Sequence, residues 1–119
     1  MPFAPAILAD YIGQWFEGEK SSPYMMFTYK ARPEKQHLIS AVLHRDNTGR
    51  LQSVSADDNP LLYDILKAFL QRTGLPLVLN TSFNLHGHPL VDSPQDALQH
   101  LHWGCVDVLL IDDLLISRV

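Results

Sequence analysis

Twice in this chain a helix opened by proline and stopped by glycine runs straight into a short apolar strand. Asn59-Pro60 supplies an N-cap with proline at the first helical position. Leu61, Leu62, Ile65, Leu66, Phe69 and Leu70 then recur at helical spacing, with Asp64, Lys67 and Gln71 on the opposite side. Gly74 ends that helix, Pro76 follows, and Leu77 to Leu79 read as a strand. Ser93-Pro94 opens the second helix, with Asp96 at the third helical position to complete a capping box. Ala97, Leu98, Leu101 and Trp103 face the core, and Gly104 stops the helix. The run Val106 to Ile111 is nearly all apolar, as in a buried strand; Asp112-Asp113 interrupts it as a turn, and Leu114 to Ile116 resume.

The N-terminal half is richer in strand signals. Pro2 and Pro5 oppose a helix, so Pro2 to Leu8 read as extended. Ala9 to Glu17 form a short helix burying Tyr11, Ile12, Trp15 and Phe16, weakened by Gly13. Ser21-Ser22-Pro23 break the chain, and Tyr24 to Ala31 form a strand of aromatic and β-favouring residues. Ile39 to Arg45 and Arg50 to Ala56 read as two strands joined by the turn Asp46-Asn47-Thr48-Gly49. Strands and helices in this order predict an α/β domain with a mixed sheet and packed helices.

The sum of the residues narrows the class. At 119 residues with 46% apolar content, the chain is expected to be a single globular domain over residues 1–119, or a piece of one. The net charge of −4 opposes non-specific binding to nucleic acid. No apolar run approaches the roughly 20 residues of a membrane span, and the start Met1-Pro2-Phe3-Ala4-Pro5 lacks a cleavable signal pattern. A lone Cys105 permits neither an intrachain disulfide nor a cysteine-rich metal site. A cytoplasmic protein is the expectation.

Chemistry concentrates after the strand Leu77 to Leu79, which ends in Asn80-Thr81-Ser82-Phe83-Asn84. Hydroxyls and amides at a strand end suit phosphates, acyl groups and nucleotides without adding charge. Ser82 lacks the Gly-x-Ser-x-Gly elbow of a nucleophile, so a binding role is read for it. Arg50 begins a strand, where a held guanidinium can grip a phosphate or carboxylate with two donors. Other candidates are weaker. His86-Gly87-His88 offers two ligands, too few for a metal, so no metal residues are assigned. His100 and His102 point to different helix faces and read as surface residues. Cys105 begins a buried-looking strand and reads as a small core residue. Arg32-Pro33-Glu34-Lys35 reads as solvated surface, and no Gly-rich nucleotide loop occurs.

Taken in order, Pro2-Phe3-Ala4-Pro5-Ala6-Ile7-Leu8, Ser22-Pro23-Tyr24-Met25, Arg32-Pro33-Glu34-Lys35, Gly49-Arg50-Leu51-Gln52, Leu79-Asn80-Thr81-Ser82-Phe83-Asn84 and Ser93-Pro94-Gln95-Asp96-Ala97 resemble the C-terminal region of the O-carbamoyltransferases. These are the nodulation-type and antibiotic-tailoring enzymes. The resemblance implies a YrdC-like fold that combines carbamoyl phosphate with ATP, accompanied by Mg²⁺, to give carbamoyl adenylate and pyrophosphate. It also implies a partner domain, N-terminal and sugar-kinase-like, which uses its own bound metal to pass the carbamoyl group to a hydroxyl acceptor. Ser82-Phe83-Asn84 matches the family's serine-any-asparagine motif, which makes Ser82 and Asn84 the expected catalytic pair. Arg50 matches its phosphate-binding arginine; Asn80 and Thr81 are expected to assist in binding.

Two positions differ from the family pattern. A lysine-any-arginine motif belongs a few residues before the Pro-Phe-Ala-Pro segment, where this chain has only Met1, and His88 stands where a glutamate is common. The chain then corresponds to the C-terminal portion of a catalytic domain, inactive alone and able to form a homodimer through surface its missing part would cover. The alternative expectation is a non-catalytic binding or interaction module with the same fold.

Overall fold

The computed structural model describes residues 4–18, 24, 27–85 and 87–118. The chain divides into two compact units, Met1–Thr81 and Ser82–Val119. Strands and helices mix throughout, as an α/β chain requires.

In the first unit, strand β1 (Ala4–Leu8) is central. Strand β4 (Gln52–Val54) pairs with it in parallel, Ala6 opposite Gln52 and Leu8 opposite Val54. Strand β5 (Leu77–Asn80) pairs on its other edge, antiparallel, Ala4 opposite Asn80 and Ile7 opposite Leu77. Side chains alternate across a strand, so β1 feeds two cores. Ile7 joins Ile12, Trp15, Phe16, Tyr29, Leu51 and Leu77 on one face. Ala6 and Leu8 join Val54 and Leu66 on the other, beneath helix α2 (Pro60–Thr73). A strand buried on both faces must be apolar throughout, and Ala-Pro-Ala-Ile-Leu is.

Helix α2 begins and ends where its punctuation dictates. The Asn59 side chain accepts from the Leu62 N–H at 3.2 Å, Pro60 occupies the first turn, and Gly74 closes the helix at φ 78°. Of its apolar stripe only Leu66 is fully buried; Leu62 and Leu70 pack at the margin, while Leu61 and Ile65 are exposed.

The remaining strands of the first unit are β2 (Thr28–Lys30) and β3 (Thr48–Arg50), an antiparallel pair with Tyr29 opposite Gly49. Gly49 sits at a close approach: a Cβ there would lie 3.1 Å from the Val42 carbonyl oxygen, which would have to give by a few tenths of an ångström. The turn entering β3 is held by Asp46, whose carboxylate accepts from the Thr48 hydroxyl at 2.6 Å and the Thr48 N–H at 3.1 Å. These bonds, the hydroxyl's first, hold its pKa below the ordinary 3.8.

The second unit packs helix α3 (Pro94–Trp103) on the hairpin of β6 (Val108–Ile111) and β7 (Leu114–Ser117). Ser93 caps α3 by accepting from the Asp96 N–H at 3.0 Å. Ala97, Leu101 and Leu109 form its core, with Phe83, Val91, Val106, Ile111 and Ile116 at the margin. Asp112-Asp113 makes the hairpin turn, Asp112 in the left-handed region at φ 51°.

Several sequence expectations need correction. Ile39 to Arg45 is not a strand, because 3₁₀ turns occupy Gln36–Leu38 and Ser40–Val42. Its buried residues Ile39, Val42 and Leu43 are spaced three and four apart, which suits a turn of helix rather than alternation. The expected hairpin is therefore absent: β3 pairs with β2, and β4 pairs with β1. The helix expected from Ala9 to Glu17 shrinks to a 3₁₀ turn at Ala9–Tyr11 and the short α1 (Ile12–Trp15). Phe16 is already extended, at φ −128° and ψ 154°, and bridges Ala31. Cys105 is exposed, since the strand it was expected to begin starts only at Val108. Leu98 and Trp103 are exposed, and His100 is buried. Pro2, Phe3, Ser21-Ser22-Pro23, Met25 and His86 lie outside the described residues.

Candidate functional site

Three segments meet at one end of the three-stranded sheet: the start of β1, the start of β4 and the end of β5. Asn80 and Gln52 sit there on the strands that flank β1. The Asn80 Nδ2 donates to Gln52 Oε1 at 2.8 Å, joining positions 28 residues apart. Directly paired residues share a face of a sheet, so Ala4 and Ala6, opposite Asn80 and Gln52 respectively, lie beneath this bridge. Small side chains on the central strand leave room for two longer amides to meet above them.

Arg50, two residues before Gln52, ends β3 opposite Thr28 and is exposed. Among the described residues no carboxylate pairs with its guanidinium. A strand-anchored cation without such a partner is available to an anionic ligand. Thr81 follows Asn80 and is also exposed. Arg50, Asn80, Thr81 and Gln52 all lie in the first unit, and the contact shown among them is that of Asn80 with Gln52. Gln52 was missed because a lone glutamine in a strand carries no sequence signal; only the register of β4 against β1 gives it a role.

Ser82 and Asn84 open the second unit. Between them Phe83 is half-buried against the α3 core and meets the His100 ring edge-on, centroids 5.5 Å apart. Its carbonyl accepts from the Val91 N–H at 2.9 Å, which ties off the intervening loop. Ser82 is exposed. Asn84 is already engaged: its Nδ2 donates to the His88 carbonyl at 3.0 Å and to the Leu85 carbonyl at 3.2 Å. Its Oδ1 has no partner among the described residues.

His100, read from sequence as a surface residue, is 2% exposed. Its Nδ1 lies 2.8 Å from the Asp96 carbonyl oxygen, to which it donates as the Nδ1–H tautomer, and 3.5 Å from the Asp96 carboxylate. Nε2 is buried without a partner among the described residues. The ring also meets Trp103 edge-on at 5.3 Å, and Trp103 meets His88 at 6.0 Å. The pattern that could have revealed it is its position three residues after Ala97 and one before Leu101, on the buried side of α3. Among the described residues no group of three or more His, Cys, Asp or Glu side chains is placed to hold a metal ion. None of their helices is long and apolar enough to cross a membrane.

Residues 1–118 match the family described as carbamoyltransferase C-terminus. An uncharacterised protein of Methanocaldococcus jannaschii is 40% identical over 100% of the chain, which covers 23% of that protein. Nodulation protein NolO of Bradyrhizobium diazoefficiens is 38% identical over 98% of the chain and 22% of its own length. The 3'-hydroxymethylcephem-O-carbamoyltransferase of Streptomyces clavuligerus is 28% identical over 99% of the chain and 22% of its own length. The chain therefore spans about a fifth of the length of these relatives.

Proposed function

The chain belongs to the carbamoyltransferase C-terminal family, and from that premise we propose that it forms the carbamoyl-activating part of an O-carbamoyltransferase. The observation that carries this reading is the Gln52–Asn80 amide bridge at the end of the sheet, with Arg50, unpaired among the described residues, two positions before Gln52 in sequence. Positive charge and neutral amides are the two kinds of group needed to hold a carbamoyl phosphate or an adenylate.

In this reading ATP is a co-substrate. Water cleaves carbamoyl phosphate to carbamate and inorganic phosphate; a carbamate oxygen then attacks the α-phosphorus of ATP, which leaves the carbamoyl group on AMP and releases pyrophosphate. Arg50 faces the phosphates, and its guanidinium offsets charge that builds as pyrophosphate departs. Asn80 and Thr81 orient the neutral part of the ligand by hydrogen bonds; Ser82 and Asn84, in the second unit, are assigned a part in catalysis by the family motif alone. No described cluster of acidic side chains fits Mg²⁺, so no step is assigned to a protein-held metal; the ion enters on the nucleotide phosphates. To the remaining four fifths of a relative's length we assign the rest of the catalytic domain and the sugar-kinase-like domain that would receive the activated group and choose the hydroxyl acceptor.

The engagement of Asn84 in its own loop favours a second reading, a non-catalytic module of the same fold. Kinetics separate the two. Pyrophosphate release should be measured in the intact gene product with ATP and carbamoyl phosphate. Arg50→Ala is expected to lower kcat/KM by about a hundredfold, the loss of one charge-assisted contact to phosphate. Ser82→Ala is expected to lower it about tenfold. Unchanged kinetics in both variants would remove the site, and no release from the unaltered protein would leave the binding module.

A further inference from the structure

The Gln52–Asn80 bridge leaves half of each amide unused. The bond consumes one N–H of Asn80 and one acceptor site of Gln52. Asn80 Oδ1 and Gln52 Nε2 have no partner among the described residues, and both side chains are half-buried at the end of the sheet. A primary amide carries two donors on nitrogen and two acceptor sites on oxygen. Two amides joined by one bond thus present a donor and an acceptor side by side. The bridge is also fixed in place: Gln52 is held by the parallel register with Ala6, and Asn80 by the antiparallel register with Ala4.

A carbamoyl group is the complement of such an edge, because its oxygen accepts and its NH₂ donates in one plane. We propose that Gln52, acting with Asn80, recognises the carbamoyl amide: Gln52 Nε2 donates to the carbamoyl oxygen and Asn80 Oδ1 accepts from the carbamoyl NH₂. This rests on the reading of the preceding subsection and adds to it the residue that tells a carbamoyl group from an acyl group of the same shape. Arg50, two positions earlier, grips the phosphate and is indifferent to that choice.

Acetyl phosphate replaces the NH₂ with a methyl group and keeps the phosphate, which makes it the discriminating probe. Calorimetric titrations of the intact gene product with carbamoyl phosphate and with acetyl phosphate give the preference directly. The unaltered protein is expected to favour carbamoyl phosphate at least tenfold, the worth of about one satisfied hydrogen bond. Gln52→Leu removes bridge and donor together. Gln52→Glu keeps an acceptor for Asn80 Nδ2 and removes the donor; the negative charge it adds weakens both phosphate ligands and leaves the preference between them as the readout. Both are expected to bring the preference to within about twofold, and Arg50→Ala is expected to weaken both ligands alike. A preference that survives Gln52→Glu overturns direct recognition by Gln52. A Gln52→Glu variant that keeps the carbamoyl preference but no longer separates ATP from GTP assigns the edge to a nucleobase instead, and also overturns it. If the unaltered protein binds neither phosphate, the preceding reading falls as well. If it binds carbamoyl phosphate with a preference untouched by either Gln52 variant, only this inference falls.

Discussion

Asp46 shows how one side chain fixes a turn and ties it to pH. Its carboxylate is held below the ordinary value of 3.8 first by the Thr48 hydroxyl and then by the Thr48 N–H. A carboxyl whose folded pKa is depressed stabilises the fold above its unfolded value and loses that contribution as pH falls through the folded one. Thr48→Ala is accordingly expected to move the Asp46 titration, followed by NMR, upward toward 3.8. An unmoved titration would contradict this origin. Gly49, next along the chain, admits no larger side chain without displacing the Val42 carbonyl. Gly49→Ala is expected to lower the melting temperature, and an unchanged value would show that the backbone yields easily. Single residues were legible when their role was local, as with the Asp112-Asp113 turn. They were illegible when the partner lay far along the chain. Gln52 depends on Asn80, 28 residues away. The Asp96 carbonyl and Phe83 make a buried place for His100, and its distance of two from His102 said nothing of either.

Both longer helices were readable in advance, since their start and stop signals act within a few residues. Asn59-Pro60 with Gly74 and Ser93-Pro94 with Gly104 mark their ends in the structure. Asn59→Ala should cost about 1 kcal/mol in chemical denaturation, the usual value of an N-cap. Leu66→Ala, beneath which the sheet packs, should cost about 2–5 kcal/mol; equal losses at the two positions would contradict the packing described. Strands fared less well. Ile39 to Arg45 has strand-like composition, yet its buried residues follow the spacing of a helical turn, and composition cannot show which residues are buried. The partners of β3 and β4 were also misread, because a local turn signal suggested a hairpin while long-range packing under α2 and over Phe16 fixed other pairings. Propensity yields to tertiary context in short strands.

At the scale of the molecule, sequence segments in series identified the family that the match over residues 1–118 establishes. They also located the strand end whose residues now divide between two compact units, with Asn80 and Thr81 closing the first and Ser82 opening the second. What the sequence hid was the sheet order that brings Gln52 to Asn80. The relatives, of which this chain spans about a fifth, frame the proposed division of labour: activation here, transfer to the acceptor elsewhere. The most direct test is mass spectrometry of the intact gene product incubated with ATP and carbamoyl phosphate. The expected product is AMP carrying one carbamoyl group, formed with one pyrophosphate and greatly reduced by Arg50→Ala. Pyrophosphate released without carbamoylated AMP, or carbamoylated AMP formed equally well by Arg50→Ala, would contradict it.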